Sequence, residues 1–268
     1  MPIVKLSFLT VTYERDFDLL ERLLNSIVKH CGTEYTHYII LNDDIIHLPE
    51  LTNILAKFPN NFIVKHYLEF PEMHVPLVEN CNFGDRCEDG WAKQIMLTLI
   101  ASTVIDSRYY LHLCSKDVVI GPLDINKFIQ HDKFAAVQEY DNAKKCVEYF
   151  TEQFNEYFVN AYKLFELDPE QYRKLAIRPL TPAIIKTEQI QDMLHYLSER
   201  NLYIIDIIGM NANAGWYNGY NKTCEYYLYS AWLAKNNLIN DTVIWINSHE
   251  SSIKFNIIST SHRLRRTN

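Results

Sequence analysis

Glycine is scarce in this chain of 268 residues, with only 7 present. No G-x-G-x-x-G or G-x-x-x-x-G-K-[ST] segment occurs, which argues against a Rossmann dehydrogenase or a P-loop nucleotidase. The 6 cysteines, at positions 31, 81, 87, 114, 146 and 224, form no C-x-x-C pair, so a structural zinc site is not expected. No apolar run approaches the ~20 residues needed to span a bilayer, so no transmembrane segment is expected. The opening Met1-Pro2-Ile3-Val4-Lys5 lacks the basic-then-apolar layout of a signal peptide. The thiols therefore read as reduced and the protein as cytoplasmic. A basic excess is missing too: 26 Lys and Arg stand against 33 Asp and Glu, a net charge of −7. That balance gives no electrostatic footprint for nucleic acid. The one basic cluster, Arg263-Leu264-Arg265-Arg266, suits either a solvated tail or a clamp for a diphosphate or an anionic surface.

What is abundant is apolar and aromatic. Hydrophobic residues make up 48% and aromatics 13%, led by 18 Tyr, which is the composition of a packed globular domain. Residues 3–13 are β-branched and apolar without alternation, as in a strand buried on both faces of a parallel sheet. Phe17, Leu19, Leu20, Leu23, Leu24, Ile27 and Val28 recur at helical spacing. Strands follow at 38–41 and 62–67, with a helix near 48–58 between them. This β-α-β-α-β opening predicts a mixed, mostly parallel α/β sheet flanked by helices. Further on, the pattern predicts a loop over 71–90, a helix from Trp91, and a strand at 109–113 continued by 118–120. An aromatic helix follows over 149–165, suited to the core or to a substrate. A strand at 183–185, a helix over 188–200, a strand at 203–208, a helix over 225–235 and a strand at 242–246 complete the set.

Open parallel sheets bind ligands beyond the carboxyl ends of their strands. Three such ends carry polar residues here: Thr10, Thr12 and Tyr13, then Asn42-Asp43-Asp44, then Ser115-Lys116-Asp117. Carboxylates and amides at the first two suit the base and ribose of a nucleotide. An acid at the third suits Mg²⁺ or Mn²⁺ bridging two phosphates, because hard cations take oxygen ligands. Asn42-Asp43-Asp44 equally suits a plain turn with helix-capping duty.

The series Phe8–Tyr13 with Asp18-Leu19-Leu20, Asn42-Asp43-Asp44, Gly90–Gln94, Tyr110–Asp117, Thr181-Pro182-Ala183 and Glu225–Tyr229 resembles the GT-A-type glycosyltransferases. Within them it is similar to an uncharacterised glycosyltransferase-like family. The resemblance covers roughly residues 4–235 and implies a single GT-A-like domain over 1–268. Residues 1–122 would form its nucleotide-sugar-binding half, and 123–268 an acceptor-side half with a C-terminal tail. It implies a UDP- or GDP-linked sugar donor, a glycan or other hydroxyl acceptor, and a metal held by an Asp-x-Asp motif. The chain departs from that motif: Cys114 stands where its first Asp would fall, leaving Asp117. His249 or His262 is then the expected partner in holding Mn²⁺ or Mg²⁺; alternatively Lys116 replaces part of the cation's charge. Asp89, Trp91 and Gln94 are expected to border the donor site. Glu225 lies where similar inverting enzymes place the base that deprotonates the acceptor; a first-turn Glu complementing its helix dipole is the other reading. Asp206, in the expected strand 203–208, is the second candidate. Two other functions stay open. A nucleotidyltransferase is disfavoured because Glu14-Arg15-Asp16 lacks the glycine of its phosphate loop, and a non-catalytic carbohydrate-binding protein is supported by Cys114.

Overall fold

The computed structural model describes residues 5–59, 61–74, 89–137, 155–208, 223–246 and 256–259. Strand β1 (Leu6–Thr12) is buried at every position, which requires cover on both faces. Helix α1 (Phe17–Cys31) supplies part of it, burying Phe17, Leu20, Leu23, Leu24 and Ile27 along one face. It ends at Gly32, whose φ of 73° lies in the left-handed region that a residue without Cβ enters without strain. Strand β2 (Thr36–Leu41), helix α2 (Leu48–Leu55) and strand β3 (Asn61–His66) follow. Helix α3 (Asp89–Ile100) then carries the chain back across the sheet to β4 (Tyr109–His112).

Beyond β4 lie β5 (Asp117–Val119), a single turn α4 (Ile125–Phe128), and the hairpin of β6 (Ile129–Gln130) and β7 (Lys133–Val137). Helix α5 spans 155–164, and α6 (Pro169–Tyr172) leads toward β8 (Ala183–Lys186) and α7 (Thr187–Glu199). Short α8 (Ile204–Ile208) precedes α9 (Glu225–Lys235), α10 (Ile239–Thr242), β9 (Val243–Ile246) and β10 (Ile257–Ser259).

The main sheet has the order β3-β2-β1-β4-β8, parallel except for β8. The chain winds outward from β1 through β2 to β3, then crosses to β4 on the other side of β1. The topological switch point therefore lies between β1 and β4. Register decides what happens there. Thr12, Leu41 and His66 sit in one row at the ends of β1, β2 and β3. Strand β4 stops lower, with His112 opposite Leu9. The gap beside the end of β1 is filled by the turn Cys114–Asp117 and by β5. That strand is held by β10, with Ser259 opposite Asp117, and by the Ser26 hydroxyl of α1, which accepts from the Val119 N–H at 2.9 Å.

A third small sheet joins β6, β7 and β9. The two residues between β6 and β7, His131 and Asp132, both have positive φ (51° and 66°), as in a type I′ hairpin turn. Neither is glycine, and Asp132 is tied in place instead. It accepts from Lys186 (3.0 Å), Arg108 (2.5 Å) and the Tyr109 hydroxyl.

Several sequence expectations are corrected by the structure. The strand expected over 203–208 is helix α8, since Ile204, Ile205, Ile207 and Ile208 are all buried with i, i+3 and i+4 spacing. The β-branched run suggested a strand, but its period is helical. The expected continuous strand 109–120 breaks at the Cys114–Asp117 turn, and its second half joins a different sheet. Helix α3 begins at Asp89, inside the expected loop, and single turns form over Tyr67–Glu69 and Pro71–His74. The described part of the aromatic stripe (Phe158, Tyr162, Phe165) is core, at most 3% exposed.

Candidate functional site

The aligned ends of β1, β2 and β3 leave a cleft of about 540 Å³. Its walls are the residues just past each strand end: Tyr13 and Arg15, Asn42 to Ile45, and His66 to Leu68, with Lys93 from α3. The loop after β2 is held by its own carboxylates. Asp43 accepts from the Glu14 N–H (3.1 Å) and from the Asp44 N–H (2.8 Å), locking the β1 and β2 exits together. Asp44 accepts from the Ile46 N–H at 3.1 Å and so caps the turn Ile45–His47. His66 Nε2 reaches the Asp43 carbonyl at 2.8 Å, and because that oxygen only accepts, this nitrogen carries the proton. The capping reading of Asn42-Asp43-Asp44 thus holds while the same residues line the cleft. The two cations rest on aromatic walls, Arg15 over Tyr13 and Lys93 over Tyr67, each 4.9 Å from the ring centre.

At the switch point, Ser115 donates to Thr12 Oγ1 at 3.1 Å, both side chains being buried. Asp117 is fully buried and accepts from the Cys114 N–H at 2.8 Å, while its own N–H donates to the Cys114 carbonyl. Burial, reinforced by Asp117, pushes the Cys114 thiol up to about 11, so it stays neutral at physiological pH. This turn offers a cation one carboxylate among the described residues, bound through Oδ2 into its own loop beside a neutral thiol. Among the described residues no three His, Cys, Asp or Glu side chains converge. His249 and His262 lie outside the described residues.

Glu225 opens α9 and is only 7% exposed. Burial pushes its carboxyl up to about 7, against which its own backbone N–H acts weakly. Its neighbours are buried phenols: Tyr110 and Tyr226 are both raised by burial first and by the Glu225 charge second, and Tyr226 also by Asp117. Tyr226 approaches His112 Nδ1 at 2.6 Å, and burial lowers His112 to about 3, so the ring is neutral. The bonding assigns the tautomer: Tyr226 donates to Nδ1, leaving Nε2–H toward Thr98 Oγ1 at 3.4 Å. Thr98 donates to the Gln94 carbonyl (2.9 Å), and the Tyr13 hydroxyl to Gln94 Oε1 (3.1 Å). A polar chain thus runs from the start of α9, past the end of β4, to the cleft wall.

The structure sorts the residues singled out from sequence. Tyr13, Asn42, Asp43 and Asp44 line the cleft, and Gln94 braces it through Tyr13. Thr12, Ser115 and Asp117 build the switch-point turn beneath it, and Lys116 is half-buried on that turn. Thr10 does not reach the cleft; it is fully buried, its hydroxyl 3.0 Å from His37 in the core. Its alternation with Thr12 along the strand looked like a pair, but two residues of strand rise separate core from exit. The backbones of Asp89 and Trp91 begin α3, their side chains lying outside the described set, as does that of Asp206 in α8. Sequence reading missed Arg15, His66, Tyr67, Leu68 and Lys93. The available signal was that Tyr67 follows β3 as Tyr13 follows β1.

The model of a family described as "Family of unknown function (DUF6492)" matches residues 2–262. No curated protein matches the chain by sequence. Among solved structures, the galactosyltransferase LgtC in complex with donor and acceptor sugar analogs is similar over 90% of this chain and 73% of its own. Its TM-score is 0.51 and its identity 11%. The apo structure of mouse xyloside xylosyltransferase 1 covers 96% of this chain and 97% of its own at TM-score 0.48 and 7% identity. The bifunctional WbbM, also apo, covers 92% of this chain at TM-score 0.43 and 11% identity, and the chain spans 40% of WbbM's length. At such identities the likeness is one of fold, and the fold is the GT-A type.

Proposed function

The chain belongs to the family of unknown function DUF6492, and from its fold and its cleft we propose that it is a glycosyltransferase. In this reading it moves a sugar from a UDP- or GDP-linked donor to the hydroxyl of a glycan, a lipid-linked sugar or a protein. The observation that carries the reading is the cleft at the ends of β1, β2 and β3, beside the switch point where open α/β sheets take nucleotides. Tyr13 and Tyr67 give the cleft aromatic walls against which a base could lie, and Asn42 and Asp44 stand where they could bond a ribose. Asp43 holds the loop that presents them.

Chemistry then belongs at the β4 side, where the sugar would project past the Cys114–Asp117 turn. In an inverting transfer the acceptor oxygen attacks the anomeric carbon, its proton passes to a carboxylate, and the nucleoside diphosphate leaves. Glu225 suits that base, since a carboxyl titrating near 7 combines sufficient basicity with the ionised form at neutral pH. The surrounding phenols, Tyr110 and Tyr226, remain protonated and hold the site dry. A divalent ion, when bound, would screen the leaving diphosphate, and Asp117, His249 and His262 are the residues that would hold it.

A panel of sugar nucleotides in a thermal-shift assay tests the proposal. A millimolar ligand with micromolar affinity raises stability by about 4 kcal/mol. Stabilisation by UDP- or GDP-sugars, with slow release of free sugar, is the expected result. A melting temperature unmoved by every donor in the panel sinks it.

A further inference from the structure

We infer that Arg15 and Lys93 form the clamp for the donor's diphosphate, so that a nucleoside diphosphate binds this cleft without a divalent ion. The inference deepens the donor-cleft reading and rests on it.

Both side chains line the same cavity but arise from different elements, the β1–α1 connection and the second turn of α3. Each charge is held against a wall ring, Tyr13 or Tyr67, at 4.9 Å. Arg15 also bonds the Tyr13 hydroxyl and Lys93 is half-buried, but a charge-assisted bond to phosphate is stronger than a cation–π contact, so each head group can turn to an anion while its stem stays on the wall. Among the described residues no carboxylate pairs with Lys93. The acids of the cleft stand at the β2 exit, where Asp43 and Asp44 accept backbone N–H groups. The cavity thus carries two cations, from the β1–α1 connection and α3, together with carboxylates that are engaged by backbone N–H groups. A nucleotide needs both kinds of group, cations for its diphosphate and acceptors for its ribose hydroxyls.

The guanidinium offers a planar fork to two phosphate oxygens, and the ammonium a point charge to a third. Asp117 does not compete for this role. Its carboxylate closes the Cys114–Asp117 turn and is absent from the cleft wall. Lys116 on that turn, and Arg263, Arg265 and Arg266 outside the described residues, are the other cations that the same experiment examines.

The test is calorimetric titration of the full chain with UDP, GDP, uridine and guanosine, in excess chelator and again with Mn²⁺. One nucleoside diphosphate is expected to bind in chelator at least about tenfold more tightly than its nucleoside, the size of one charge-assisted contact. Arg15→Gln and Lys93→Met should each remove about that factor from the diphosphate and leave the nucleoside unchanged, with Lys93→Arg restoring it. The melting temperature of the same variants guards against misfolding. Nucleotide binding seen only with Mn²⁺, or insensitive to both substitutions, overturns the clamp and leaves the glycosyltransferase reading standing. So does a loss that follows Lys116→Met or the triple replacement of Arg263, Arg265 and Arg266 by Gln. Failure to bind any of the four ligands under either condition overturns both.

Discussion

Glu225→Gln separates three roles in one variant. The carboxyl is raised from 4.5 to about 7 because it is buried with phenols and not with a cation. That shift corresponds to at most about 3 kcal/mol of instability once the group is ionised. The sign follows from proton binding: between pH 4.5 and 7 the folded protein holds the proton that the unfolded chain has lost. The contribution is therefore fully present below 4.5 and lost as pH rises through 7. A carboxylate in a helix's first turn gains only about 0.3–1 kcal/mol from the dipole, so desolvation outweighs it. Gln is isosteric and never ionises. The variant should match the parent at pH 4 and exceed it at pH 8, by about 6–12 °C in melting temperature at 2–4 °C per kcal/mol. If Glu225 is also the base, kcat at pH 8 falls by about 10²–10⁴-fold while donor binding is kept. Paired melting curves at the two pH values and turnover at pH 8 make the measurement. A variant less stable than the parent at pH 8 would refute the desolvation reasoning. Unchanged turnover would end the catalytic role and move attention to Asp206.

The two buried imidazoles act with the opposite sign. His37 and His112 are lowered by burial from 6.5 to about 3, so their contribution is complete above pH 6.5 and lost as pH falls toward 3. Each adds a slope of about 1.4 kcal/mol per pH unit in that window; urea midpoints from pH 7 to 4 should fall steeply, and His37→Gln should flatten the curve. Asp44→Ala removes the Ile46 cap and is expected to cost about 1 kcal/mol, whereas Asp43→Ala loses two backbone contacts and should destabilise more while also weakening UDP binding. A donor-induced thermal shift unchanged in both variants would exclude the β2 exit from the site. Asp132→Ala keeps a Cβ at φ 66° but removes the carboxylate that holds it there, and takes one partner from Lys186, which retains Glu188, and from Arg108; a loss of about 1–2 kcal/mol is expected, with Asp132→Gly recovering the backbone part alone. The Asp132 carboxyl is lowered, against partial desolvation, because the Tyr109 hydroxyl and Lys186 hold its charge, so this contribution is present above the usual carboxylate range and is lost as pH falls below it.

The parallel opening of the fold was legible because each β-α step carries its own period. β1 reads as a continuous apolar run, α1 as a stripe at helical spacing, and the polar exit Asn42-Asp43-Asp44 marks where β2 ends. Legibility failed where tertiary pairing decides. Nothing in Val118-Val119-Ile120 announces that it leaves the main sheet to pair with residues 257–259. The hairpin at Ile129–Val137 turns on His131-Asp132, a pair without the glycine signal of such turns, and its stability comes from Tyr109 and Lys186, distant in sequence. At the site, residue type pointed to acids and amides, whereas the cleft's cations are ordinary surface residues until register brings the β1–α1 connection and α3 together. Thr10 shows the converse: a polar side chain at a promising place in sequence is a core partner of His37.

The pairing of β10 with β5 also sets a timetable for synthesis. Ile257 lies 138 residues after its partner Val119. At a ribosomal rate of about 5–20 residues per second, β5 waits roughly 7–28 s for that partner, long after β1 to β4 have emerged. During the wait Thr12 from β1 holds the Cys114–Asp117 turn and Ser26 from α1 holds β5. The floor of the switch point is thus completed late, after the sheet that surrounds it, and cleavage before Asn256 should loosen that floor while leaving the β3-β2-β1-β4-β8 sheet intact.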